Sequence, residues 1–127
     1  MRALTREWIT KAEGDFSTAS REARVRYAPN YDAVCFHCQQ CAEKYLKAYL
    51  QEQNQPFPRV HELIELLELC LGFDRDFELI RDLLKDLTRY AVDVRYPGES
   101  AVRDDARAAM KAVKAVREFM RRKLRIR

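Results

Sequence analysis

The chain has 127 residues, with 24 Lys plus Arg against 20 Asp plus Glu and a formal charge of +4, which fits a single domain and excludes two full ones. Hydrophobic residues make up 47% and charged residues 35%, a composition that excludes disordered, collagen-like and disulfide-scaffold chains. Three glycines and four prolines against 15 alanines and 13 leucines favour helices. The longest stretch free of Asp, Glu, Lys and Arg, Ala33 to Ala42, is about half of the ~20 residues a membrane-spanning helix needs. Met1 to Leu4 leads into charged, helix-period sequence without the apolar core of a secretory signal, so no membrane role and a cytoplasmic location are expected. In that setting Cys35, Cys38, Cys41 and Cys70 are expected as free thiols.

From Thr5 to Arg26, Trp8, Ala12, Phe16, Ala19 and Ala23 recur at spacings of four and three, predicting a first helix. Pro29 and Asn30 interrupt it. A second helix is predicted from Tyr31 to about Gln53, with a wide stripe of Val34, Cys38, Cys41, Tyr45 and Ala48 that suits a central position. Asn54-Gln55-Pro56-Phe57-Pro58 cannot continue it and predicts a loop. His61 to Leu71 reads as a short third helix stopped at Gly72, and Asp76 to about Asp93 as a fourth with Phe77, Ile80, Leu84, Leu87 and Ala91 in step. After Tyr96-Pro97-Gly98-Glu99, Ser100 is the expected cap of a fifth helix whose seam is Val102, Ala106, Ala109, Val113, Val116 and Met120. These elements predict an all-α fold, an up-down antiparallel four-helix bundle with one additional short helix, occupying residues 1–127 as one domain.

Charge is unevenly placed. Residues Arg103 to Arg127 hold ten basic and three acidic side chains, and Arg103, Arg107, Lys111, Lys114, Arg117 and Arg121 follow one side of the fifth helix. Such a stripe is either a solvated face or an electrostatic track for phosphates. His61 to Thr88 is correspondingly acidic, with eight acidic and three basic residues, and could face a basic partner.

Cys35-x-x-Cys38-x-x-Cys41 begins like an iron-sulfur ligand run, but Tyr45 stands where the fourth cysteine belongs and the run is helical, so no metal is expected. Gln40, Glu43 and Lys47 share one face of the second helix at spacings of three and four. They offer an amide, a carboxylate and an ammonium to a polar ligand, or else simply an i,i+4 ion pair between Glu43 and Lys47. His61 stands where the proline loop meets the third helix, and Arg95-Tyr96-Pro97 forms a comparable junction in which Arg95 could clamp a phosphate or cap helix carbonyls.

Taken in order, Trp8 with Ala12 and Asp15, Phe36-His37-Cys38-Gln39-Gln40-Cys41-Ala42-Glu43-Lys44-Tyr45-Leu46-Lys47-Ala48, Pro58-Arg59-Val60-His61-Glu62-Leu63, and Tyr90 leading to Arg95-Tyr96-Pro97-Gly98 resemble the HEPN family, the higher eukaryote and prokaryote nucleotide-binding domain, over nearly the whole chain. The resemblance implies a helical bundle, commonly homodimeric, often produced beside a minimal nucleotidyltransferase as a two-component or toxin-antitoxin pair. It implies residues matching Gln40, Glu43, Lys47, His61 and Arg95 as lining the family's polar cleft; these and the neighbouring Tyr96 are the expected nucleotide- or RNA-binding residues, and no cofactor is expected. Many members are metal-independent ribonucleases with an Arg-x(4 to 6)-His motif. Here neither His37 nor His61 has an arginine at that distance before it, and Arg89-x5-Arg95 puts an arginine where the histidine would stand. Arginine can hold a phosphate but cannot act as a general base. Three readings follow: a nucleotide- or RNA-binding module acting with a nucleotidyltransferase; a ribonuclease toxin in which His61 works beside Arg95; and a non-catalytic assembly protein.

Overall fold

The computed structural model describes residues 1–92 and 96–127. The described chain is all-α: α1 (Ala3–Ala23), α2 (Tyr31–Glu52), α3 (Leu63–Leu71), a 3-10 segment (Arg75–Ile80), α4 (Arg81–Val92) and α5 (Arg103–Lys123). The four long helices form an up-down antiparallel bundle, with α3 as the additional short helix. None of the described helices is long and apolar enough to cross a membrane.

Helix α2 is the centre of the bundle and packs against α1, α3, α4 and α5. Its Val34, Cys38, Ala42, Leu46 and Leu50 have no solvent exposure, nor do Cys35, Cys41, Tyr45 and Ala48 on adjoining faces. All four cysteines are free and buried, and Cys38 Sγ lies 3.5 Å from Met110 Sδ of α5, a packing contact between small polarisable side chains. Burying the α2 stripe on several sides is what makes it wider than those of its neighbours.

The first helix runs from Ala3 to Ala23 rather than Thr5 to Arg26, its last turn closed by the Arg24 N–H on the Arg21 and Glu22 carbonyls, and three further expected boundaries shift, each for a local reason. The fourth predicted helix is two elements. The Asp74 side chain accepts from Asp76 N at 2.9 Å, and buried Phe77 and Ile80, three residues apart, suit the three-residue period of a 3-10 turn before α4 begins at Arg81. Phe77 fills the bundle end against Tyr49 and Phe119, with ring centroids 4.6 and 5.2 Å away. Ser100 does not cap α5. Ala101 N instead donates to Asp32 Oδ1 at 2.7 Å, tying the start of α5 to that of α2, and Val102 is the capping residue, its N–H donating to Asp105 Oδ2 at 2.9 Å. Helix α3 begins at Leu63 rather than His61, because Glu62 is extended and the His61 carbonyl is engaged by a side chain of α2.

Candidate functional site

The site grows from a polar row on the buried side of α2. Gln39, Glu43 and Lys47 repeat at intervals of four on α2, and all three are buried. The loop after α2 returns over this row. Phe57 packs edge-on against Trp8 of α1 with centroids 6.1 Å apart, and His61 arrives above Glu43. Gln39 Nε2 donates to the His61 carbonyl at 3.0 Å, and Gln40 Nε2 donates to Gln39 Oε1 at 2.9 Å, which fixes the backbone at the loop exit.

Glu43 is the hub. Its Oε2 accepts from Lys47 Nζ at 3.0 Å, and His61 Nδ1 lies 3.2 and 3.3 Å from its two oxygens. A carboxylate paired with an ammonium can only accept, so the proton of this contact sits on Nδ1 and His61 Nε2 is left for a ligand. The imidazole is 73% exposed although the carboxylate beneath it is 3% exposed. Lys47 completes its surroundings with two aromatic faces, its Nζ 5.4 Å from the Trp8 centroid and 5.9 Å from that of Phe57.

A second imidazole is built the same way. His37 Nδ1 lies 2.7 Å from Asp15 Oδ1, and the other oxygen of Asp15 accepts from Lys44. Both histidines line one cavity of about 580 Å³ with Phe36, Gln39, Gln40 and Asn30. Phe36 is 50% exposed, an aromatic face open to solvent beside three amide side chains.

The structure therefore brings Gln40, Glu43, Lys47 and His61 into one hydrogen-bonded group, with only Gln40 and His61 at the cavity wall. Lys47 does not reach the cavity, because its ammonium is taken up by Glu43 and two aromatic rings beneath the surface. Tyr96 is 67% exposed and is not among the described lining residues. Arg95 lies outside the described residues. Sequence reasoning passed over Gln39, His37 and Asp15 as site residues. The interval of four joining Gln39 to Glu43 and Lys47 was a usable signal, whereas the Asp15 to His37 contact joins two helices and has none.

A separate polar group locks α1 to α5. Glu13 accepts from Arg117 Nε at 2.8 Å and Nη2 at 2.7 Å and from the Tyr45 hydroxyl, which also accepts from Arg121 Nη1 at 3.1 Å. Burial pushes the Glu13 carboxyl upward, but the hydrogen bonds from Arg117 and Tyr45 outweigh it and hold the group below its ordinary value. Burial, then Glu13 itself, drives the Tyr45 phenol up. Arg117 also stacks on Phe16, its guanidinium carbon 4.6 Å from the ring centroid. Two cations of the α5 stripe are thus structural.

An all-helical bundle with a polar cleft between the start of its central helix and the following loop is the class these features define. The HEPN domain model matches residues 5–123, and the chain belongs to the HEPN family. It is similar to the crystal structure of TT1696 from Thermus thermophilus, with a TM-score of 0.80 and 26% identity over 94% of this chain and 97% of that one. It shares its fold with ST0689, an archaeal HEPN homologue, with a TM-score of 0.67 and 24% identity over 97% of this chain and 98% of that one. Comparison with curated proteins finds no significant match.

Proposed function

We propose that the chain is a nucleotide- or RNA-binding HEPN module that acts as a homodimer with a minimal nucleotidyltransferase, as one half of a toxin-antitoxin pair. The observation that carries the binding reading is the cavity in which half-exposed Phe36 stands beside Gln40 and the anchored His61. Phe36 offers a stacking face for a base, and Gln40 and His61 Nε2 offer hydrogen bonds to a base edge or ribose. Glu43 and Lys47 hold His61 from below, and Arg95, with Tyr96 beside it in sequence, is the proposed phosphate contact. Calorimetric titration with a nucleotide panel tests this. Binding is expected, weakened in Phe36→Ala, Gln40→Ala and Arg95→Ala; no heat and no thermal stabilisation with any nucleotide removes the reading.

A second reading rests on the two imidazoles. Each has Nδ1 directed by a carboxylate and both line one cavity, which offers a base and an acid for RNA cleavage without a metal. One Nε2 would take the proton of a ribose 2'-hydroxyl as that oxygen attacks phosphorus, and the other would protonate the departing 5'-oxygen, with Arg95 holding the phosphate. Mixed RNA incubated with the protein in EDTA decides it: cleavage lost in both His37→Ala and His61→Ala supports it, and intact RNA with the wild-type protein ends it.

A further inference from the structure

The four remaining cations of the α5 stripe border a groove that the cleft does not use. Helices α1 and α5 are held together at Glu13 and Arg117, and beyond that point they leave a groove of about 640 Å³. Its floor is apolar: half-buried Phe16 and Tyr31, with the nearly buried Ala106 and Met110. Arg103, Arg107, Lys111 and Lys114 stand along one rim and Arg24 at the other. All five are exposed, none forms an ion pair among the described residues, and no acidic side chain is among the described lining. The α1 wall is low, because Ser20 and Ala23 are small.

We propose that this groove docks an acidic amphipathic helix of a partner protein, laid alongside α5. The rim cations follow one another at intervals of four, four and three residues, a row about 16 Å long at 1.5 Å per residue. Carboxylates at the same intervals on a second helix have the same rise, so each meets a cation in register, while its apolar side chains settle on Phe16, Ala106 and Met110. The small α1 wall lets the second backbone come close. A single-stranded nucleic acid fits less well. Of the two floor aromatics, Phe16 already has the Arg117 guanidinium on its ring, which leaves half-buried Tyr31 alone to stack a base, and the Ala106 and Met110 floor has no role in tracking phosphates. The proposal is independent of what fills the cavity lined by Phe36 and His61.

The probe is a synthetic helical peptide of about 15 residues with glutamates at intervals of four, four and three and leucine or alanine on the adjoining face, titrated by fluorescence anisotropy against the intact chain. A scrambled peptide of the same composition and a ten-nucleotide oligouridine are titrated in parallel. The patterned peptide is expected to bind and the scrambled one to bind about tenfold more weakly. Arg107→Glu with Lys111→Glu, both exposed, is expected to weaken the patterned peptide about tenfold or more, and Ala23→Tyr to abolish binding by filling the groove. Circular dichroism confirms that both variants fold. Equal binding of the two peptides, binding insensitive to Ala23→Tyr, or displacement of the peptide by oligouridine at lower concentration would each overturn the proposal. So would light scattering that shows a dimer of this chain broken by the charge reversal, since the groove would then be covered by a second copy.

Discussion

Lys47 Nζ lies 3.0 Å from Glu43 Oε2, with the two side chains only 8% and 3% exposed. The partners are one helical turn apart, yet this is not the solvated i,i+4 pair common on helix surfaces. Removing the ammonium strands a buried carboxylate. Lys47→Met is therefore expected to lower stability by about 3 kcal/mol, and adding Glu43→Gln to restore much of that loss, because the uncompensated charge is gone. Urea unfolding of the two single variants and the double variant measures both numbers. Losses that simply add would show that the pair is not coupled.

Glu13 predicts a pH dependence. Its carboxyl titrates below the ordinary value in the native protein, so the stabilisation it contributes is complete above its unfolded value of 4.5 and is lost as pH falls through the lower native value. Asp74 acts in the same direction below its unfolded value of 3.8, since Lys123 and the Asp76 amide hold it down. Thermal unfolding between pH 6 and 3 is expected to show a steep acid-side decline, shallower in Glu13→Gln. Arg117→Gln removes the largest contribution that lowers Glu13, leaves Tyr45 and Arg121 to oppose burial, and is expected to make that part of the decline shallower.

The thiols are expected to be inert in the folded protein. Burial, aided by Asp105 and Asp32, pushes Cys35 up to about 11, and burial pushes Cys70 up to about 12. At pH 8 the thiolate fraction of Cys35 is then about one in a thousand. A colourimetric disulfide reagent should find no rapidly reacting thiol in native protein and all four after denaturation. One thiol reacting within seconds in the native state would contradict this packing.

Ala28, in the connection between α1 and α2, has φ of 50°, a left-handed conformation that an alanine side chain disfavours. Ala28→Gly relieves that conformation at some cost in unfolded-state entropy. The expected net gain is about 0.5 kcal/mol, seen as a rise of about 2 °C in Tm by calorimetry. A fall would mean that the Ala28 methyl group makes a contact worth more than the strain.

Helix identity was legible because apolar residues recur at the helical period in every long element, and α2 announced its central place through the breadth of its stripe. Helix ends were less legible because partners distant in sequence set them. Asp32 draws Ala101 and moves the cap from Ser100 to Val102, and Gln39 holds the His61 carbonyl and delays α3. The Glu43 to Lys47 pairing could be read from spacing alone. Lys47 as an ammonium offered to a polar ligand could be read just as easily, and its withdrawal from the cavity depends on Trp8 and Phe57, which come from opposite sides of α2 in the chain. Arg117 and Arg121 looked equivalent to the other cations of α5 until Glu13, more than a hundred residues away in sequence from Arg117, singled them out.

Trp8 is the only tryptophan of the chain, and its indole has the Lys47 ammonium on its ring. The molecule thus carries a built-in optical reporter. Anything that pulls on His61, and through Glu43 on Lys47, changes the field at the indole and with it the emission, so ligand entry can be followed in unlabelled protein.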